Sequence, residues 1–388
     1  MIIEKLHIQP LAVVAILVTM LLSCSKSTTD PELPPTDVSE TPLVFSPTAG
    51  WPVIANGSAA GAGTGAGDGA GTGTGTGTGT GAGSGTKALI TSASELQQYG
   101  ISLFATASKD ANTYAVFNND LLKYSNSAWN YDITKYWIPG ARYSFTAFAP
   151  YATNSRDSKS ISNGTVSSTG TETAPQITIA NYISGKVSTG SPQFDARCED
   201  LLFASHIRDN TTGSDYSSVP LHFNHLLSCL SFKIRNATST DIKSVENISL
   251  TGLQYKANIN VSNITAAVIP TAETVGESEG FFAGSNLTGT VENPFLPKGM
   301  SEEQSKDLFD CTDLTALPQT IYGKEIKIKF TVRYSNDSST DYTGNLGSID
   351  AIASWEMGKK YRYNITISSE DIIFQVSEIP WIEHNVEL

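Results

Sequence analysis

The chain has 388 residues, which is enough for two domains with separate hydrophobic cores. It carries 25 Lys and Arg against 38 Asp and Glu, so its formal net charge is −13. An acidic chain without Lys/Arg clusters excludes nucleic acid and anionic lipid headgroups as expected partners. Short aromatic and β-branched runs between Ser, Thr, Asn and Gly predict an all-β exported protein.

Residues 1–23 form a predicted export signal. The apolar run 11–22 is shorter than the roughly 20 residues that span a bilayer. It ends in Leu21-Leu22-Ser23-Cys24, which resembles a bacterial lipobox and implies a lipoprotein with diacylglycerol and palmitate on Cys24. Ser25, rather than Asp, follows, which favours the outer membrane. The alternative is an ordinary signal peptide with a coincidental cysteine.

A disordered tether and a glycine-rich linker are predicted on either side of a short strand. Residues 24–41 are rich in Ser, Thr and Pro, as tethers are, and Leu43-Val44-Phe45 is the strand candidate. From Gly61 to Gly85 every odd position is glycine, so residues 61–86 cannot offset the entropic cost of a fixed fold. A dinucleotide-binding loop is excluded, because its fingerprint needs glycines three apart, and no Lys-Ser/Thr follows for a P-loop.

An aromatic-rich hairpin is predicted next. Trp129 and Tyr131 share one strand face, Pro139-Gly140 marks a turn, and Tyr143 and Phe145 share the next face. We expect these rings to pack in the core and across strands. The alternative role for such a row is a platform for sugars.

The stretch 219–234 is interpreted as the opening of a second β-domain. Leu221 and Phe223 alternate with polar residues, whereas Leu230 and the apolar residues after it alternate on the opposite parity. Because a shift of one residue moves every side chain to the other face, a bulge or tight turn is expected near 224–226.

The rest of the chain predicts further short strands and one short helix, around Ser301–Leu308. The predicted strands are Val245–Leu250, Ala257–Val261, Phe281–Ala283, Glu325–Arg333 and Ile373–Val376.

Three cysteines remain after Cys24, so an exported protein keeps at least one free thiol. Cys229 lies in an apolar run and is expected to be a small buried hydrophobe, with a Cys198–Cys229 disulfide as the alternative. The disulfide state of these two and of Cys311 stays open. Their spacing gives no pair of the Cys-x-x-Cys type.

No catalytic or metal-binding template occurs in the sequence, so we expect no enzyme activity, no cofactor and no metal site. His222 and His225 are three residues apart and are expected to be ordinary polar residues rather than a metal pair. The acidic loop from Asp209 to Asp215 does not have the spacing of an EF-hand, and an interdomain turn is the preferred interpretation.

Four pieces of sequence, in order, resemble the Bacteroidales fimbrillin-like proteins, which are subunits of strand-exchanged surface pili. The pieces are Trp129–Tyr151, Asp200-Leu-Leu-Phe-Ala204, Leu221-x-Phe223-x-His225, and Trp355-x-x-Gly358-Lys-x-Tyr361-x-Tyr363. The resemblance covers residues 43–381. It implies two transthyretin-like β-sandwich domains in tandem, residues 42–205 and 206–388, after the lipoprotein tether.

The resemblance also implies a structural subunit or adhesin of fimbriae, matured by a trypsin-like protease that cuts between Lys87 and Ala88. Removal of the first strand would leave a groove for the tail of a neighbouring subunit. The alternating apolar residues of that donor strand are Ile379, Trp381, Val386 and Leu388.

The implied partners are other fimbrial subunits, the outer membrane through the lipid, and a host or bacterial surface receptor. The implied location is the cell surface, in a fimbrium. Stalk, tip and anchor roles stay open, as do cleavage at Lys87 and the identity of the receptor. The alternative function is a glycan-binding outer-membrane lipoprotein of a polysaccharide-uptake system.

Overall fold

The structure, a computed structural model, describes residues 38–49, 89–184, 199–309, 313–369 and 372–379, except 156, 158, 162, 172, 263, 275 and 277–285. Several predicted features therefore lie outside the described residues: the export signal, the glycine-rich linker, Phe281–Ala283, Cys24, Lys87, Ala88, Cys198, Cys311, Trp381, Val386 and Leu388. No helix in the described ranges is long and apolar enough to cross a membrane.

The regular elements of the described part of the chain up to residue 225 are strands and one short helix. The elements are β1 Phe45–Ala49, α1 Ala93–Leu96, β2 Ile101–Lys109, β3 Asn112–Ser125, β4 Ala128–Asn130, β5 Arg142–Ala149, β6 Thr165–Thr171, β7 Ala174–Ile183, β8 Leu202–Asp209 and β9 Val219–His225.

The described part after residue 225 continues with strands and one 3-10 turn, at Leu346–Ser348. The strands are β10 Ser228–Asn236, β11 Ile242–Thr251, β12 Lys256–Ser262, β13 Thr265–Pro270, β14 Leu287–Thr288, β15 Lys306–Asp307, β16 Leu314–Ala316, β17 Gln319–Thr320, β18 Lys327–Tyr334, β19 Ser339–Asn345, β20 Ser354–Trp355, β21 Lys360–Ile367 and β22 Ile372–Ile379.

Four sheets carry most of the described strands, which confirms the all-β fold class. The first has seven strands in the order β1-β9-β8-β5-β2-β3-β4, and a second has the order β13-β12-β7-β6. A third has the order β15-β10-β21-β22, with β16 also pairing with β10, and a fourth has the order β14-β11-β18-β19. A short β17-β20 pair completes the pairing.

Alternation along the strands explains how the sheets stack into layers. In β2, Leu103 faces one core with Phe145, whereas its neighbour Phe104 faces a second core with Ile177 and Ile259. The seven-stranded sheet is therefore covered on both faces, as its nearly continuous apolar runs require. A third core lies between the two sheets that contain β10 and β18.

The strand Val219–His225, at which a second domain was expected to open, belongs to the first sheet. It pairs with β1 and β8 in the first sheet, and the predicted change of parity occurs at a bend at Leu226 and Leu227. There the chain passes to β10 in another sheet, which explains why the buried face changes. Strand β12 likewise returns to pair with β7. The division at residues 205 and 206 stays a prediction, and it does not coincide with a break in strand pairing.

Two local expectations are wrong. The segment Ser301–Leu308 forms a turn and the short strand β15 rather than a helix, because its backbone pairs with β10. The strand around Trp129 does not form a hairpin with β5. It pairs with β3 through Trp129 and Tyr124, because a two-residue turn at Asn126 and Ser127, both with positive φ, closes a tighter hairpin.

The Trp-x-x-Gly-Lys-x-Tyr-x-Tyr piece forms a corner between β20 and β21. The indole Nε1 of Trp355 donates to the hydroxyl of Tyr363 at 2.8 Å, with both side chains buried. Burial raises the pKa of Tyr363. The turn itself needs the left-handed backbone of Gly358, whose φ is +70°.

Candidate functional site: the first strand and the last strand

The first strand lies at one edge of the seven-stranded sheet and inserts alternate side chains into its core. Leu43, Phe45 and Pro47 are buried, whereas Val44 and Ser46 are exposed. This is the pattern that a strand with one buried face requires. The strand runs parallel to β9, with Phe45 opposite Val219.

Phe45 occupies a cage of aromatic rings. Its ring centroid lies 5.6 Å from that of Phe117, 5.9 Å from that of Tyr131 and 5.8 Å from that of Phe145, in each case edge to face. Aromatic pairs in this geometry each add about 0.5–1.5 kcal/mol beyond the area that they bury. Phe45 is therefore the main apolar anchor of the first strand.

The segment that leads into β1 bonds to the loop that follows β4. Ser39 N–H donates to the carbonyl of Trp137 at 2.8 Å, and Leu43 N–H donates to the carbonyl of Lys135 at 2.8 Å. Both acceptors lie between β4 and β5, outside these two strands. Residues 39–49 are therefore held first by this loop and then by β9.

Side-chain hydrogen bonds hold the same segment. The Tyr131 hydroxyl donates to the carbonyl of Leu43 at 2.7 Å, and burial raises the pKa of this phenol. Ser46 Oγ lies 2.6 Å from Ser218 Oγ. Thr48 Oγ1 lies 3.0 Å from Nδ1 of His222. The phenol favours its neutral form, which is the form that donates to the strand.

The first described residues after the glycine-rich linker, Leu89 and Ile90, are held in the body of the protein. Ile90 N–H donates to Oδ2 of the buried Asp200 at 2.9 Å, and Oδ1 of the same carboxylate lies 3.0 Å from Nδ1 of the buried His225. Leu89 and Ile90 both pack against core residues. The body of the protein after the linker is thus anchored independently of β1.

The last strand, β22, lies at the edge of another sheet and pairs with β21. Ile372, Phe374 and Val376 are only partly buried against the core, and Ile373 is 51% exposed. The Phe374 ring lies over Gly344 of β19, where a Cβ atom would stand 2.1 Å from the ring. Glycine therefore provides the space for this side chain.

The structure describes only one of the four predicted donor residues. Ile379 is the last residue of β22 and pairs with Lys360 of the chain's own sheet. Trp381, Val386 and Leu388 lie outside the described residues, as does the predicted cleavage position at Lys87-Ala88. The two sides of that position, β1 and Ile90, are both described.

The aromatic row is part of the core rather than an exposed platform. Trp137, Tyr143 and Phe145 are completely buried, and burial raises the pKa of Tyr143 to about 12. Tyr131 packs against Phe45. Trp129 contacts Tyr124 on the neighbouring strand. The packing interpretation of this row is confirmed.

The structure separates the two histidines and buries Cys229. His222 bonds to Thr48 on the outer face of β9, whereas His225 points inward to Asp200. Cys229 is completely buried in the core, as expected for a small hydrophobe. A disulfide with Cys198 stays untested.

Sequence reasoning missed the contribution of the residues around 135–137, which accept and donate the hydrogen bonds of the first strand. Tyr136 and its neighbours have no alternating pattern, because they bond through the backbone of a loop. The sequence did contain a signal for the missed His225–Asp200 contact. Each of these polar residues is followed by an apolar run, and a buried polar group needs a partner.

Comparison with known proteins gives a family and a shared fold. A family model described as fimbrillin-like matches residues 86–381. A fimbrial protein from Bacteroides vulgatus is similar in structure, with a TM-score of 0.52 and 20% identity, covering 76% of this chain and 98% of that one. A putative cell adhesion protein from Bacteroides uniformis has a TM-score of 0.38 and 14% identity, covering 73% and 93%. No curated protein sequence matches.

Proposed function

The chain belongs to the fimbrillin-like family, and on this premise we propose that it is a structural subunit or adhesin of bacterial surface fimbriae. It would be exported as an outer-membrane lipoprotein through Cys24 and assembled by donor-strand exchange. The all-β fold that it shares with a fimbrial protein supports a structural role. This role uses no catalytic residue, cofactor or metal.

The observation that carries the proposal is the position of the first strand. Residues 39–43 bond to the loop after β4, β1 pairs with β9, and the chain then continues into residues 50–88 before Ile90 is anchored separately. Cleavage at Lys87-Ala88 would therefore free the first strand from the body without breaking an anchor of the body. Its removal would expose unpaired backbone groups on β9 and an empty aromatic cage.

The tail of a neighbouring subunit is the proposed occupant of that groove. Donor strands bind through main-chain hydrogen bonds and fill pockets with alternate side chains. The alternating residues Ile379, Trp381, Val386 and Leu388 supply such a pattern. The lipid on Cys24 would leave with the excised strand, so that an uncut subunit would stay anchored to the membrane.

Limited trypsin treatment of the purified precursor tests the proposal, followed by N-terminal sequencing and by electrophoresis in SDS. We expect a new terminus at Ala88 and multimers that resist SDS. Lys87→Gln should prevent both, whereas Lys324→Gln, at an exposed turn, serves as the matched control and should change neither. Deletion of residues 379–388 should abolish the multimers and leave the cleavage intact.

A cut product that stays monomeric at high concentration would contradict strand exchange. Lipidation has its own test, since Cys24→Ala should move the protein from the detergent phase to the aqueous phase in a phase partition. Retention of the variant in the detergent phase would contradict the lipid anchor.

A further inference from the structure

The strand β13 forms one edge of the β13-β12-β7-β6 sheet, and its outer side is open. Its inner side pairs with β12, from Thr265 opposite Ser262 to Pro270 opposite Ala257. Two of its side chains, those of Ala266 and Val268, pack against the core that the sheet covers. On the outer side, no backbone hydrogen bond joins β13 to another part of the described chain.

The opposite edge of the same sheet is closed by a side chain. Asn154 donates from Nδ2 to the carbonyl of Val166 in β6, and its Oδ1 accepts from the N–H of Val166, both at 3.0 Å. In the described part of the chain, no side chain covers the backbone of β13 in this way. β13 carries no charged residue, and its only proline is the last residue, Pro270. An edge without such protection is a template for pairing with another strand.

Exposed isoleucines stand at both ends of β13. Ile269 is 49% exposed, and Ile264, in the turn before the strand, is 38% exposed with a φ of +56°. A β-branched residue rarely adopts this left-handed conformation, because its Cβ approaches the following carbonyl oxygen. The N–H of Ile264 donates to Oγ1 of the buried Thr146 at 2.8 Å, which holds the turn in place. The fold thus tolerates strain at a position where it exposes an apolar side chain.

The sheet face beside this edge is neutral, although the chain has a net charge of −13. The outward residues of β12 after Lys256 are Asn258, Asn260 and Ser262. Lys256 itself bonds to Glu273 at 3.0 Å. Because a large net charge keeps copies of a protein apart, two copies of this chain approach most easily through an uncharged surface.

We propose that β13 pairs in antiparallel orientation with β13 of a second copy of the chain, about a two-fold axis at Ala267. In this register Ala267 meets Ala267 of the second copy, Thr265 meets Ile269, and Ile264 meets Pro270. The small side chains at the centre let the strands approach, and each copy contributes the same segment, as two-fold symmetry requires. The pairing is separate from strand exchange, because β1 and β22 belong to other sheets.

The size of this contact indicates its strength. Stable interfaces bury about 1,200–2,000 Å², which is more than a pair of six-residue strands supplies. Single subunits should therefore associate weakly. If the proposed fimbrial function holds, subunits along two neighbouring fimbriae would make many such contacts at once, and this multivalency would strengthen lateral association.

Sedimentation equilibrium of the uncut Cys24→Ala protein tests the proposal, because neither a lipid nor strand exchange after cleavage can then drive association. We expect self-association that increases with concentration and stops at the dimer. Ala267→Lys in this protein should weaken it at least about tenfold, because like charges would face each other. Thr165→Lys, exposed on β6, makes the same change in net charge and should associate as the unmodified protein does.

A mixture of the Ala267→Lys and Ala267→Glu proteins identifies the partner strand. The mixture should regain association, because opposite charges would then face each other across the two-fold axis. A mixture that stays monomeric would overturn the pairing of β13 with itself. Equal weakening by Thr165→Lys, or an unmodified protein that is monomeric at every concentration, would also overturn it. Thermal unfolding establishes that each variant is folded, and Ile269→Lys replaces Ala267→Lys if the latter is not.

Discussion

The first strand, β1, and the last strand, β22, each lie at a sheet edge and alternate apolar with polar side chains. The two strands differ in the burial of their side chains and in the number of segments that they bond to. Phe45 is 7% exposed inside a cage of three rings, and its segment bonds both to β9 and to the loop after β4. Phe374 and Val376 of β22 are only partly buried, and the strand pairs with β21 alone.

This difference bears on the proposed strand exchange. In that proposal, a deeply bound strand that is followed by the long segment 50–88 is removed by cutting the chain, and a groove would be left behind. A strand that is shallowly bound needs less free energy to leave its own sheet, because fewer apolar contacts are lost. In the proposed assembly, the first strand fills the groove before cleavage, and the last strand leads into the donor segment.

The largest effect is expected from Phe45→Ala. Truncation of a buried aromatic ring costs about 3–5 kcal/mol, because a cavity replaces its contacts. Urea unfolding measures the change, and Val44→Ala is the neighbouring control, because Val44 is 47% exposed. The control should lie within about 0.5 kcal/mol of the wild type. Equal changes in the free energy of unfolding of the two variants would contradict the assignment of Phe45 as the main apolar anchor of the first strand.

A smaller effect is expected from Gly344→Ala, which concerns the last strand. The new Cβ would overlap the ring of Phe374, and overpacking of this kind costs about 1–3 kcal/mol. Hydrogen exchange of the β22 amides should accelerate, whereas Thr343→Ala, exposed on the same strand, should leave it unchanged. If the β22 amides exchange at the wild-type rate in Gly344→Ala, the packing of Phe374 on Gly344 does not hold the strand in place.

The smallest effect is expected from Tyr131→Phe, which removes one hydrogen bond to the first strand. The hydroxyl donates to the carbonyl of Leu43, and the net value of such a bond is about 1 kcal/mol. Amide exchange at Leu43 and Val219, whose N–H donates to Val44, should report the loosened strand. Tyr124→Phe, outside the cage, is the control. A loss of amide protection at Leu43 and Val219 that is confined to Tyr124→Phe would contradict the proposed contact.

Much of the fold could be predicted from local patterns. Alternation correctly located the strands at Ala257–Val261 and Glu325–Arg333, and the change of parity near residue 225 correctly located a bend. Period-2 patterns reveal a strand and its buried face because side chains point alternately to opposite faces. They carry no information about which strand is the neighbour.

Pairing between distant segments explains the errors. Val219–His225 was placed in a second domain because it follows a polar loop, yet it pairs with β1, more than 170 residues earlier in the chain. The candidate site has the same limitation. Leu43-Val44-Phe45 was predicted as a strand, but the bond of Leu43 to the backbone of Lys135 has no side-chain signature. Backbone hydrogen bonds are common to nearly all residues, so the sequence does not mark them.

Competition by a synthetic peptide of residues 38–49 tests directly whether the first strand and the donor strand occupy the same groove. The peptide is added to the trypsin-cut protein after the excised fragment has been removed, and the multimers are measured by light scattering. We expect the peptide to bind the empty groove and suppress multimers, whereas the same peptide with Phe45→Ala should not. Multimers that form equally with either peptide would contradict the claim that the first strand and the donor strand occupy the same groove.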